Sequence, residues 1–377
     1  MCGTNGENST DNCVHCWRNG SSVRTIDLVV VGVEREPEPV SVVFRRICED
    51  GERVPMKMES LTTPEWFDAE KFKKGQRYFY NNYFAMMVTK LCGLVLVLAV
   101  PSVLKVLIMT GRSSTPARAF RRYVDTISNM IDWYCGDLNK RDSDIYKVLS
   151  TVRGKHCAAA KKSVAGGSTF ISQKDLALTQ YGFVGLAITR KEFFGIKGSP
   201  EELEGFLHFW RTIGYFMGIE DRFNLCEGSL NHVTELCENI GEHVFKPLVQ
   251  KPSSDFLQMS DALLTGVRPM IPMNDNDAFM EFVRRLLNLP AERLSRAYSR
   301  FSLGLLIFLH TTLLGLWWLA WLMRPVLNGL LRFSIHSNIT LPLLAILTLG
   351  KEVLQREPTI GAETQRSHQR SNMAMAH

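Results

Sequence analysis

The loops and motifs that mark the commonest enzyme classes are missing from these 377 residues: there is no G-x-G-x-x-G, no Walker loop, no G-x-S-x-G and no H-E-x-x-H. Their absence argues against a dinucleotide site, a P-loop, a nucleophile elbow and a zinc hydrolase. His208, His232 and His243 form no other compact metal pattern. Charge of one sign is also scarce. Forty-four basic against 38 acidic residues leave +6, spread along the chain without a basic stripe interleaved with aromatics, so nucleic acid is not an expected partner. Cysteine is sparse, at nine residues, an odd count, and solitary except for Cys13-Val-His-Cys16, which reads as mostly reduced thiols. That pair has zinc-knuckle spacing but no second pair behind it, and its polar surroundings fit a disordered tail better than a metal site. Residues 1–25 lack the apolar core of a secretory leader, and no internal repeat is evident.

Apolar residues, at 45%, are ample for a packed core in one large domain or two ordinary ones. From about residue 61 to 290 the pattern is helical, as in Phe120, Tyr123, Val124, Ile127, Met130 and Ile131. The expected fold class is therefore all-α, a single helical domain over 61–290 behind a variable region 1–60. Within that region, 26–33 and 41–44 around Pro37 and Pro39 read as a short hairpin.

Three apolar stretches bear on membranes. Residues 303–323 carry no formal charge, would rise roughly 30 Å as a helix and hold Trp317, Trp318 and Trp321 near one end, so they are expected to form a transmembrane helix. Residues 339–349 are short and contain Pro342, as a second, re-entrant or interfacial segment would. Residues 91–104, between Lys90 and Lys105 and broken by Pro101, are expected to form a buried helix pair, with a membrane-dipping hairpin as the alternative. The tail 355–377 is polar and is expected to be disordered. If only 303–323 anchors the chain, deleting everything from Leu303 onward should release a soluble domain. Arg284, Arg285, Arg293, Arg296 and Arg300 precede that span and only Arg324 and Arg332 follow it closely, which would keep the domain cytosolic.

One twelve-residue segment, Thr151 to Lys162, carries candidate chemistry. Arg153 and His156 stand three apart ahead of an alanine run, so an imidazole sits beside a fixed cation where small side chains leave room for something flat and large, such as haem. A surface histidine in a basic segment explains the same spacing.

Beyond that segment, Thr63-Pro-Glu-Trp-Phe-Asp68 with Lys74-Gly-Gln-Arg-Tyr-Phe-Tyr80, then Thr110-Gly-Arg112 with Arg122 and Thr126, then Arg153-x-x-His156 with Ser172 to Phe183, and finally Trp210 to Asp221 follow in an order that resembles the family of ER-bound oxygenases mpaB and mpaB′ and rubber oxygenase. The resemblance covers roughly residues 60 to 250 and rests on the ordered set. It implies haem b with His156 as the metal ligand, Thr179 as a pocket threonine, and Arg122 and Thr126 as the catalytic pair on the distal side; helical spacing adds Arg153, one turn before His156, to pair with a haem propionate or support the ligand, and Phe183, four after Thr179, to line the pocket. It further implies an oxidoreductase using dioxygen on an apolar, isoprenoid or lipid substrate at a membrane, the endoplasmic reticulum, with the chain crossing once or holding two membrane segments. Two departures qualify this. Asp125 stands where the family's distal lysine precedes the threonine, and no glutamate occurs in 104–109 to serve as its acid/base group. A non-enzymatic haem- or lipid-binding membrane protein of the same fold is therefore the alternative. Trp210, Gly214, Gly218 and Asp221 read as mainly structural, with the two glycines permitting close helix packing.

Overall fold

The computed structural model describes residues 38–354 apart from 60–61, 140–142, 167–169 and 338–339. The Cys13–Cys16 pair, the strand expected at 26–33 and the tail 355–377 lie outside the described residues. Among those described, every regular element is helical, and one isolated antiparallel bridge joins Pro55 to Ser172. The all-α expectation holds. The second hairpin strand, expected at 41–44, is instead helix α1 (Val40–Arg45), which runs through a π turn, Arg46–Asp50, into α2 (Gly51–Arg53). Its β-branched residues yield to tertiary packing: Val43 and Ile47 are buried, and Phe44 meets His243 edge-on at 6.0 Å.

The helices that build the core are α3 (Ala69–Asn81), α4 (Tyr83–Leu98), α5 (Pro101–Thr110), α6 (Pro116–Cys135), α7 (Asp144–Ala165), α8 (Gln173–Thr189) and α9 (Pro200–Phe216). Their starts follow local chemistry. Asp68 caps α3, Thr115 caps α6 ahead of Pro116, and Ser172 and Ser199 form capping boxes with Asp175 and Glu202. Helix α4 is apolar almost all round and buried almost all round, which makes it the axis of the fold. It reaches α8 at Gly93 and Gly182, where a Cβ on Gly93 would land on the Gly182 carbonyl; α3 and α9 meet the same way at Gly75 and Gly205. Rings of Phe79, Tyr134 and Phe209 stack nearly parallel at 3.7 and 4.2 Å, tying α3, α6 and α9 together. The expected break at Pro101 separates α4 from α5, and both Leu91 and Leu104 are buried.

Outside this core run α10 (Leu230–Ile240), α11 (Lys246–Gln250), α12 (Ser254–Gly266) and α13 (Asn276–Leu286), followed by α14 (Ala297–Ile307), α15 (Trp317–His336) and α16 (Thr340–Leu349). Here the structure corrects the reading of 303–323 as one transmembrane helix. Helix α14 passes into a π turn, Phe308–Leu313, and the pair then bends by 120° into α15; among the described residues no single helix is long and apolar enough to cross a membrane. The cause is local. His310 is wholly buried, stacked on Phe84 at 5.5 Å and edge-on to Phe194 at 4.9 Å, with Nδ1 3.4 Å from the Phe194 carbonyl oxygen. Helix α15 is pinned back onto the core as well. Arg324 donates to Asn82 and, at 2.8 Å, to the Gly195 carbonyl; Asn328 accepts from the Phe84 amide at 2.9 Å; Ser334 donates to the Met270 carbonyl at 3.0 Å.

The basic flank ahead of this pair is partly neutralised. Arg285 pairs with Glu281 at 2.8 Å, Arg284 with Glu292 at 2.7 Å, and Arg296 with Asp277 at 2.7 Å, which weakens the charge asymmetry read from the sequence. Helix α16 spans ten residues, short for a crossing.

Candidate functional site

Helical spacing assembles the site. On α6, Arg122, Thr126, Asn129 and Trp133 fall at i, i+4, i+7 and i+11; on α7, Val152, His156 and Ala159 share a face; on α8, Asp175, Thr179 and Phe183 do the same. These three faces, with the ends of α4 and α5 and the Trp210–Gly214 stretch of α9, enclose a cavity of about 250 Å³. Five of the six residues singled out from the sequence, Arg122, Thr126, His156, Thr179 and Phe183, line it together.

The sixth does not. Arg153 donates to three backbone carbonyls, those of Phe216 at 2.7 Å, Lys57 at 2.5 Å and Glu59 at 2.7 Å, and it is absent from the cavity lining. Its guanidinium clamps the segment before α3 to the turn after α9. Three residues on a helix leave two side chains about 60° apart, enough for His156 to face the cavity while Arg153 faces the clamp. Gly218, in that same turn, has φ +98° and lies beyond α9, so it serves the turn; Gly214 allows close approach of the Gln180 amide. Asp221 pairs with Arg211, its Oδ1 2.9 Å from the Arg211 Nε.

Burial, reinforced by the positive charges of Arg122, Arg153 and Lys155, holds the His156 imidazole down to about 4, so the ring is neutral at physiological pH. Neutral imidazole is the ligating form. Its Nδ1 is buried without a hydrogen-bond partner, and so is the indole Nε1 of Trp133 on the same cavity. Orphaned polar atoms in an otherwise apolar wall cost stability until an occupant satisfies them. Among the described residues no three His, Cys, Asp or Glu side chains converge on a common point, but a haem iron needs only one protein ligand. A neutral imidazole, a cationic guanidinium and a largely aliphatic and aromatic wall fit such a group.

The hydroxyls face differently from what the distal-side expectation requires. Thr126 donates to the Arg122 carbonyl at 2.9 Å and Thr179 to the Asp175 carbonyl at 2.7 Å, so each presents oxygen lone pairs, not a proton, away from its helix. Asp125 is exposed and outside the lining. The carboxylate that does line the cavity is Asp175, buried and fixed by the Ser172 amide at 2.9 Å and the Ser102 hydroxyl at 2.5 Å. Sequence reasoning missed it, along with Asn129 and Trp133. The capping-box pattern at Ser172 and continued α6 spacing past Thr126 were the available signals. Phe183 stacks on Trp210 with centroids 4.7 Å apart, closing the inner end.

His208 lies elsewhere. Its Nε2 accepts the Asp68 amide at 2.9 Å, and its ring packs against Trp66 and Phe67 at the start of α3.

Residues 77–336 match the model of a family described as ER-bound oxygenase mpaB/B′/rubber oxygenase, catalytic domain. Among solved structures, latex clearing protein in its closed state is similar at 18% identity, with 79% of each chain covered and a TM-score of 0.43. No curated protein matches the sequence.

Proposed function

Because the chain belongs to the mpaB/rubber oxygenase catalytic-domain family, we propose that it is a haem b-dependent oxidoreductase, an oxygenase that uses dioxygen on an apolar substrate of isoprenoid or lipid type at a membrane, as the family's ER-bound description implies. The observation that carries this reading is the convergence of His156, Arg122, Thr126, Thr179 and Phe183 on one cavity.

When bound, haem would supply dioxygen activation. His156 would hold the iron, in the neutral state that burial and three neighbouring cations enforce. Arg122 places a positive charge on the cavity wall, where an anionic propionate or negative charge developing on oxygen would meet it. Thr126 and Thr179 contribute oxygen acceptors in their present rotamers, and a rotation about χ1 would turn the Thr126 proton into the cavity. The aliphatic side chains of α5 and the Phe183–Trp210 stack exclude water and offer a substrate only apolar contact.

One observation favours the second reading, a carrier that binds haem or a lipid without turnover: the lining holds no lysine and no glutamate, and its carboxylate, Asp175, is already fixed by two donors. Purified full-length protein separates the two. The oxygenase reading expects a Soret band that shifts with carbon monoxide after reduction, and oxygen uptake that rises above autoxidation when apolar lipids are supplied. Uptake fixed at the autoxidation rate with every lipid class would leave the carrier; no pigment even after reconstitution with haemin would remove both haem readings.

A further inference from the structure

The bent pair α14–α15 has an outer and an inner face, and neither is used by the site described above. On the outer face Trp317 and Trp321 are each 82% exposed, with Trp318, Leu322, Leu330 and Phe333 also exposed. Residues 297–350 contain no aspartate or glutamate, and the arginines among them are held by the protein: Arg324 by Asn82 and Gly195, Arg332 over the rings of Tyr80 and Tyr83, and Arg300 by the Leu294 and Ser295 carbonyls. Indole rings at one end of an apolar, acid-free segment match the interface of a lipid leaflet, where amphipathic rings settle. The 120° bend and the ties of Arg324, Asn328 and Ser334 hold the pair folded against the core and not as one straight span.

The inner face lines a second cavity of about 380 Å³, between Leu305, Leu306 and Leu309 on one side and Met87 and Leu91 of α4 on the other. Most of its polar groups are occupied by backbone, and Tyr123 by the Ser113 side chain. Ser302 donates to the Met273 carbonyl at 3.0 Å, Ser334 to that of Met270 at 3.0 Å, and Asn274 to that of Leu264 at 3.2 Å. Lys90 donates to the Phe183 carbonyl at 3.3 Å and sits over the rings of Phe79, Tyr134, Phe206 and Trp210. With these groups engaged, the cavity offers little to a polar headgroup and suits a hydrocarbon chain. Leu330 both lines it and is exposed, which marks a mouth beside the tryptophan face. Leu94, Tyr123, Thr126 and Phe183 line both cavities and so form their common wall.

We propose that α14–α15 is a lipid port: its tryptophan end rests in one leaflet without crossing it, and the cavity behind it takes up the hydrocarbon chain of a bilayer lipid. The chain's far end meets the common wall at Phe183, whose displacement opens the way to His156. That last step rests on the function proposed above; leaflet docking and chain uptake do not.

Full-length protein is tested for flotation with vesicles of phosphatidylcholine containing phosphatidylserine, and for quenching of its tryptophan fluorescence by lipids brominated along the chain. Docking expects flotation, with stronger quenching from bromines near the headgroup than from those at the chain end. The triple variant Trp317→Ala, Trp318→Ala, Trp321→Ala should lose about tenfold or more in vesicle affinity while keeping its haem spectrum. Chain uptake is read with cis-parinaric acid. Its fluorescence should rise with the native protein and with Leu347→Trp, and fail to rise with Leu306→Trp, which fills the cavity. Native protein that neither floats nor is quenched, or whose tryptophan face is buried in a dimer, overturns the port, as does protection of a C-terminal tag on the far side of the vesicle. Equal parinaric acid binding by Leu306→Trp overturns the cavity assignment. Docking and uptake by a protein without haem would retain the port and sink only the oxygenase reading.

Discussion

His310 shows how one side chain redirects an apolar segment. Its ring replaces what would have been a lipid-facing position with a contact among Phe84, Phe194 and Phe282, and burial lowers its ionisation to about 4. An ordinary unfolded histidine takes up its proton near 6.5, so between about 6.5 and 4 the unfolded state binds more protons than the folded one. The stability this neutral ring contributes is complete above that window and is lost as pH falls through it, by up to about 3 kcal/mol for a fully buried group. His310→Phe should therefore flatten part of the acid-side loss, read as a smaller drop in urea midpoint between pH 7.5 and pH 4.5 than the native protein shows. An equal drop in both would mean that this ring does not drive it. His156, also held neutral, shares the same window, so acid should destabilise the cavity along with the core.

At the level of elements, the closeness of α4 and α8 is a stronger constraint than any hydrogen bond in the site. Gly93→Ala would drive a methyl into the Gly182 carbonyl and should cost about 3 kcal/mol or more, whereas Gly154→Ala, where nothing lies within 4 Å, should stabilise by about 0.5–1 kcal/mol. Urea midpoints of the two variants check this pair. The same helices show what the sequence could reveal. Arg122, Thr126 and His156 were legible through the family resemblance, and the i, i+4 spacing of Arg122 and Thr126 keeps that pair on one face whatever the tertiary packing. Arg153 was not, because at three residues' distance a competing set of carbonyls decided its direction. The hairpin strand at 41–44 failed because β-propensity is a local signal and the packing around Val43 is not. The break at 314–316 was invisible to hydropathy, which counts apolar residues and has no means of seeing a buried histidine.

For the molecule as a whole, the C-terminal pair is part of the folded unit and part of the family match, which runs through residue 336. Deleting 303–377 should thus not release a soluble domain, as the sequence alone led one to expect. It would strip one wall from the second cavity and remove the partners of Asn82 and Phe84, so the truncated chain should aggregate or be degraded. A soluble, monomeric truncation by size-exclusion chromatography would contradict that. If haem binds this chain, it binds in one cavity through His156. Haem content per chain, measured after purification and again after reconstitution with haemin, tests it in the native protein, His156→Ala and His208→Ala. Haem should be near-stoichiometric in the native protein and His208→Ala and severely lost in His156→Ala; equal occupancy in all three, or none in any, would rule out ligation by His156.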